Sequence, residues 1–284
     1  MFRAKRSVMV GLDGLAAGEV QGEMSMLRPG LVSITFRTLS PRNIAQLCAQ
    51  NGLEGVEWGG DVHVPHGDVA KAEEVAAITR DTALDVAAYG SYYRCDGDKS
   101  VAFGAVLDSA VALGAPLIRV WAGPCGSDAA GGAGRAAVAK DLNRICDLAG
   151  AAGIRIGLEY HGGTLTDTRA SCRALLDAVP HPNLSTLWQP LRRVHGDARV
   201  TENLADLEDV TGRLSNVHVY NWVMSPTEQT LREPLAGGTQ WNAYFDVLGR
   251  LTGTHWLLLE FLPEDSVERL PGEAEVLRSW IDKI

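Results

Sequence analysis

The sequence predicts an α/β fold, a single (β/α)8 TIM barrel, on three observations. Short β-branched or apolar runs alternate with longer helical patterns from Leu31 to the carboxyl end, the signature of repeated βα units. Eight such runs fit into about 255 residues, the count and length of one barrel. Three of the runs close on a side chain that is costly to bury alone: Glu159, His218 and Glu260. Barrel enzymes carry their reactive groups at the carboxyl ends of the strands. A doubly wound open sheet is the runner-up, but no Gly-x-Gly-x-x-Gly follows the first run.

The predicted strands, in order, are Leu31 to Phe36, Gly55 to Trp58, Val86 to Tyr89, Leu117 to Trp121, Ile154 to Glu159, Leu184 to Gln189, Asn216 to Tyr220 and Trp256 to Phe261. After the first, Ser40-Pro41 is an N-cap and first-turn pair, and Ile44, Leu47 and Cys48 recur at helical spacing. Asp68 caps the second helix, where Val75, Ala76 and Thr79 share a face. Further helices are expected over Val101 to Leu113, Ala137 to Ala152, Ser171 to Ala178, Leu204 to Val210, Ala243 to Leu251 and Ser266 to Ile284. The last has Val276, Leu277, Trp280 and Ile281 as its inward stripe. Strong periodicity begins only at Leu31, so residues 1–28 are expected to be a poorly ordered extension and 29–284 the barrel domain. Arg3, Lys5 and Arg6 ahead of Ser-Val-Met-Val have the look of a leader, but Asp13 breaks the apolar run.

With 284 residues, 46% of them hydrophobic, the chain can bury one large core. A formal net charge of -9 argues against a sequence-independent grip on nucleic acid or on an anionic membrane. The expected partner is a small molecule, and a homo-oligomer of the chain is compatible with everything in the sequence. No stretch reaches the roughly eighteen continuous apolar residues of a membrane helix. Five cysteines with no Cys-x-x-Cys pair suggest neither a disulfide framework nor a thiolate zinc site, and a cytoplasmic location is the expectation. Gly131-Gly132 and Gly237-Gly238 lack the Gly-Lys-Ser/Thr of a phosphate loop, and Arg192-Arg193 is too short a basic run to indicate nucleic acid.

Two carboxylates and an imidazole at one barrel end suit a divalent ion such as Mn2+, Mg2+, Co2+ or Zn2+, and these donors do not choose among them. A fourth ligand is expected from the sixth strand, whose end reads Thr186-Leu187-Trp188-Gln189-Pro190. Gln189 has the ligating oxygen there. Glu57, His66, Trp121, His161, Asn221 and Arg232 follow strand ends or lie in the loops beyond them and are candidates for binding substrate, as aromatic faces, hydroxyl partners or, for Arg232, an anion partner.

The motifs Gly52-Leu53-Glu54-Gly55-Val56-Glu57-Trp58 and Glu159-Tyr160-His161-Gly162-Gly163, followed by His218 and Glu260, resemble those of the xylose-isomerase-like barrel family of sugar phosphate isomerases and epimerases over Leu31 to Ile284. The resemblance implies a metal held by Glu159, Gln189, His218 and Glu260, where Gln189 replaces the family's Asp. It implies metal-dependent isomerisation or epimerisation of a sugar, keto-sugar or cyclitol. Glu159 and Glu260 would move the proton through a metal-stabilised enediolate. Two alternatives come with it: a dehydratase or lyase using the same base, and a barrel that binds its ligand without catalysis, which the loss of the Asp would suit. A nucleic-acid endonuclease of similar fold would need more histidine ligands and a basic surface.

Overall fold

The computed structural model describes residues 25–96, 101–192, 196, 198–225, 227 and 229–284. In chain order the strands and helices are β1 Ser25–Val32, α1 Pro41–Gln50, β2 Gly55–Gly59, α2 Val69–Asp81, β3 Asp85–Arg94, α3 Phe103–Leu113 and β4 Leu117–Trp121. They continue with α4 Gly132–Ala151, β5 Arg155–Glu159, α5 Arg169–Ala178, β6 Leu184–Trp188, α6 Ala198–Val210 and β7 Leu214–Val219. A hairpin follows, β8 Asn221–Met224 and β9 Thr230–Glu233, then α7 Trp241–Leu248, β10 Gly253–Leu259 and α8 Leu270–Ile281.

Eight strands close in the order β1-β10-β7-β6-β5-β4-β3-β2, every pair parallel. The chain is a single (β/α)8 TIM barrel. Alternation along the strands divides the apolar residues between two cores. One set, including Leu31, Val56, Ile118, Leu158, Val217 and Leu257, packs outward in the same core as helix residues such as Ile44, Leu142 and Leu277. The other set, Val32, Ile34, Ala87, Trp256 and Leu258, forms a separate cluster. Toward the ends of the strands the same inward parity carries polar groups into the barrel, as Glu260 does two residues past Leu258.

Helix starts follow their capping residues. Ser40 accepts from the Asn43 backbone N–H at 3.3 Å with Pro41 in the first turn, Asp68 accepts from Lys71 N–H at 3.0 Å, and Thr168 accepts from Ser171 N–H at 3.3 Å. In α8, Leu277 is fully buried and Trp280 stacks on Trp241 with ring centroids 6.1 Å apart.

Two expectations are corrected. The first strand begins at Ser25, so residues 25–28 of the expected extension pair with β10, and the chain leaves the strand at Val32 for a 3-10 turn over Ser33–Phe36. Pairing in a parallel barrel comes from neighbouring strands, so polar Ser25 and Arg28 can extend a strand that hydropathy starts later. The long connection after β7, expected as loop, contains the antiparallel hairpin β8–β9. Residues 1–24 lie outside the described residues. Among the described residues no helix is long and apolar enough to cross a membrane, and all five cysteines are free.

Candidate active site

Parity decides which side chains enter the barrel. Arg119 sits two residues before the β4 end residue Trp121, Glu159 ends β5, His218 is next to last in β7, and Glu260 follows β10 directly. With Glu57 of β2 they meet as a cluster that is almost fully buried. Arg119 ties it together. Its Nε donates to Glu57 Oε1 at 2.6 Å and its Nη1 to Glu159 Oε2. To reach Glu57 the guanidinium must cross β3, which lies between β2 and β4. Gly90 makes this crossing possible, since a Cβ there would stand 2.7 Å from both Arg119 Nη2 and Glu57 Oε1.

Every oxygen of Glu57 and Glu159 is engaged. Trp121 Nε1 donates to Glu159 Oε2 at 2.5 Å, and Gln189 Nε2 donates to Glu159 Oε1 at 2.8 Å and to the Tyr160 carbonyl at 2.9 Å. His218 donates Nε2–H to Glu57 Oε2 at 3.2 Å. Its Nδ1 lies 3.5 Å from Glu159 Oε1 and 3.4 Å from Glu260 Oε2, with no hydrogen bond to either. His218 Nδ1 and Glu260 Oε2 are therefore buried polar atoms without a hydrogen bond, facing each other at 3.4 Å, electron-pair donors of the kind that a bound cation would satisfy.

Burial disfavours the charge on Glu159, but the Arg119 guanidinium and His218 outweigh it and hold its carboxyl well below the usual carboxylate range. The same balance, burial against Arg119 and His218, lowers Glu57. Burial opposes charge on His218 too, yet Glu260 and Glu57 raise it well above the ordinary imidazole value.

The separations suit a metal. A tetrahedral centre with bonds of about 2.1 Å sets its ligands about 3.4 Å apart, close to the 3.4 and 3.5 Å found at His218 Nδ1. The Nε2–H donated to Glu57 is the outer-shell carboxylate contact that orients a ligating imidazole. As the side chains stand, no group of three or more His, Cys, Asp or Glu among the described residues is drawn together to hold an ion. The Gln189 amide and Arg119 occupy Glu159 instead. Turning the Gln189 amide over would exchange its nitrogen for its oxygen at the same place.

Above the cluster opens a cavity of about 500 Å3 lined by Glu159, Gln189 and Glu260 at its floor and by Tyr92, Trp121, His161 and Phe261 among its walls. Trp121 packs against Tyr92 at 5.0 Å and His161 at 4.8 Å between centroids. Of the expected site residues, Glu159, Gln189, Glu260, Trp121 and His161 thus share one cavity, with His218 beneath it.

Four expected substrate contacts lie elsewhere. Glu57 is fully buried behind His218 with both oxygens used. His66 donates Nε2–H to the Ser91 carbonyl at 2.6 Å and does not line the cavity. Asn221 is buried in β8, bonded to Arg199, Gln240 and the Pro234 carbonyl. Arg232 pairs with Asp265. In each case the side chain is engaged by a partner from another segment: Glu57 by Arg119 and His218, His66 by Ser91, Asn221 by Arg199 and Gln240, and Arg232 by Asp265. Arg119 was not anticipated, although a charged residue two positions before Trp121 in Leu-Ile-Arg-Val-Trp was the available signal.

A closed parallel barrel with carboxylates, an imidazole and an amide gathered at the strand ends defines a barrel protein with an enzyme-like site. The chain belongs to the xylose isomerase-like TIM barrel family, whose model matches residues 45–283. It is 28% identical over 169 residues to a 3-dehydroshikimate dehydratase of Bacillus anthracis, a match covering 56% of this chain and 60% of that protein. The chain thus spans about 60% of the length of the curated relative it matches. Among solved structures it resembles the probable 3-DHS dehydratase AsbF of Bacillus anthracis, with a TM-score of 0.71 at 21% identity, covering 90% of this chain and 98% of the other. It also resembles a xylose isomerase-like barrel of Mycobacterium smegmatis in complex with magnesium, with a TM-score of 0.66 at 15% identity, covering 90% and 97%.

Proposed function

We propose that the protein is a divalent-metal-assisted lyase that removes water from a polyhydroxylated cyclic keto compound of the 3-dehydroshikimate kind. The observation that carries this reading is the pair of partnerless buried atoms, His218 Nδ1 and Glu260 Oε2, beside Glu159 at the floor of an aromatic-walled cavity. The named activity of the 28% identical relative supports elimination over the isomerisation or epimerisation implied by the sequence motifs.

Glu159, His218, Glu260 and the oxygen of Gln189 would hold the ion. When bound, a divalent ion polarises a carbonyl and stabilises the negative charge that builds on its oxygen. The chain's own residues divide the proton transfers. Glu260, which lines the cavity, takes the proton from the carbon next to the carbonyl through the carboxylate oxygen that it does not turn toward His218. The C–H electron pair becomes the C=C bond and the β-hydroxyl leaves. Arg119 keeps Glu159 ionised, which unfits it for delivering a proton. His161, on the cavity wall against Trp121, supplies the proton with which hydroxide departs as water. Trp121 and Tyr92 cover the ring and exclude solvent.

A second reading keeps the isomerase or epimerase: Glu260 would take the proton and return it to the neighbouring carbon or the other face, with Glu159 staying ionised. The test separates them. Purified protein is incubated with 3-dehydroshikimate and Mg2+ or Mn2+ in heavy water, and products are followed by NMR. Elimination yields the dihydroxybenzoate that loss of water and enolisation produce, whereas isomerisation yields deuterated isomer with its oxygens intact. Glu260→Gln should lower kcat by about 10²- to 10⁴-fold with an unchanged fold. Neither product forming across a panel of related ketoses and inososes would refute the enzyme reading and favour a binding barrel.

A further inference from the structure

Phe261, directly after Glu260, has φ of +54°, a left-handed backbone that bulky residues rarely adopt. This conformation turns the chain at the end of β10 and sets the Phe261 ring in the cavity wall, edge-on to Tyr220 with centroids 5.9 Å apart. Two guanidiniums use the ring: Arg232 at 4.6 Å and Arg192 at 4.9 Å from its centroid, with Arg192 also 5.7 Å from the Tyr220 ring. Their charges are not equally free. Arg232 is answered by Asp265. The other arginines lining the cavity are answered too, Arg37 by Asp61 at 2.5 Å and Arg119 by Glu57 and Glu159. Among the described residues no carboxylate pairs with Arg192, which lines the same cavity as Glu260.

We propose that Arg192, seated on the Phe261 ring, binds a carboxylate of the substrate and makes the site select an acid over a neutral sugar or cyclitol. A guanidinium seated over an aromatic ring presents several donors at its edge; one of those of Arg192 serves the Tyr220 hydroxyl, and the others can meet a carboxylate. The charge pattern also orients the ligand. Arg192, exposed where it lines the cavity, offers the positive charge there that no carboxylate among the described residues answers, and it attracts an anionic group. The ketone end therefore enters first and the acid end stays at the mouth. Arg192 is thus a specificity-determining residue, resting on the reading of the cavity as the substrate site.

The test is calorimetric titration, with Mg2+ present, of wild type, Arg192→Ala and Arg192→Lys with 3,4-dihydroxybenzoate and with its neutral counterpart 3,4-dihydroxybenzyl alcohol. Wild type should prefer the acid, and Arg192→Ala should weaken acid binding by roughly 10- to 100-fold, the value of a hydrogen-bonded charge contact. The neutral ligand should bind both proteins alike, which also shows that the variant cavity is intact. Arg192→Lys should recover part of the preference. An acid preference that survives in Arg192→Ala overturns the assignment of Arg192 alone. Wild type binding neither ligand overturns the cavity's substrate class and the proposal with it.

Discussion

Replacing Arg119 with Met should be among the most damaging single changes in the barrel. Arg119, Glu57 and Glu159 are each at most 2% exposed, and the guanidinium spans the two carboxylates from β4 across β3 to β2. Met fills much of the same volume and removes only the charge, leaving two buried carboxylates facing each other. Breaking a buried pair by removing one partner costs about 3–5 kcal/mol, because the remaining charge stays buried. The loss should stay in that range rather than double, since His218 touches Glu57 and lies near Glu159 and can hold a proton between them. For a domain of this size each kcal/mol moves the unfolding midpoint by about 2–4 °C, so a fall on the order of 6–20 °C is expected. Thermal unfolding followed by circular dichroism, with urea titration alongside, measures it. Arg119→Lys should fall between, because an ammonium lacks the fixed fork that meets two acids. Adding Glu57→Gln to Arg119→Met should cost less than the sum of the two, since one stranded charge is gone. A midpoint for Arg119→Met within about 4 °C of wild type, the shift of roughly 1 kcal/mol, would refute the reasoning.

Glu57→Gln should weaken binding of Mg2+ or Mn2+ by about 10- to 100-fold through the orientation of His218, as read by competition with a chelating dye; unchanged affinity would count against Glu57 as the positioning group. Gly90→Ala should destabilise by about 1–3 kcal/mol in urea unfolding, because the new methyl collides with the Arg119–Glu57 contact and can be housed only by parting it. Asp141 should shape the acid limb of stability. Burial opposes its charge, but the Asp96 N–H at 2.9 Å, the Tyr93 hydroxyl at 2.8 Å and Arg144 hold its carboxyl below the usual range. Its contribution is therefore complete above the ordinary carboxylate pKa of about 4 and disappears as pH falls through the depressed value. Asp141→Asn should differ from wild type most at neutral pH, and a constant gap down to pH 2 in thermal unfolding would contradict this.

The barrel was legible because its evidence is local and repeated: apolar runs at strand length, caps such as Ser40 and Asp68, and helical stripes such as that of α8. Strand ends marked by Glu159, His218 and Glu260 were legible for the same reason, since an ionisable group closing an apolar run stands out against it. What was not legible depends on contacts between distant segments. Whether Glu57 faces substrate or supports His218 is decided by Arg119, 62 residues away in sequence. Whether Arg232 is available to a ligand is decided by Asp265, 33 residues away. The left-handed Phe261 that carries Arg192 has no signature in composition, because a bulky residue at positive φ is held there by its surroundings.

Gln189 looked in the sequence like a defect in a metal site, and the structure supplies a charge argument that makes it coherent. Arg119 and Glu57 are a matched pair within the cluster, so their charges cancel. Glu159 and Glu260 remain, two negative charges that one divalent ion neutralises with His218 uncharged. An aspartate at position 189 would add a third carboxylate beside Glu159, where the amide now donates a hydrogen bond at 2.8 Å. Here Glu159 already accepts from Arg119 and Trp121, and an amide can serve it as donor when the ion is absent and serve the ion through its oxygen when it is present. The amide at position 189 thus follows from the buried arginine two strands away, so the two residues should be changed together in any attempt to restore an aspartate.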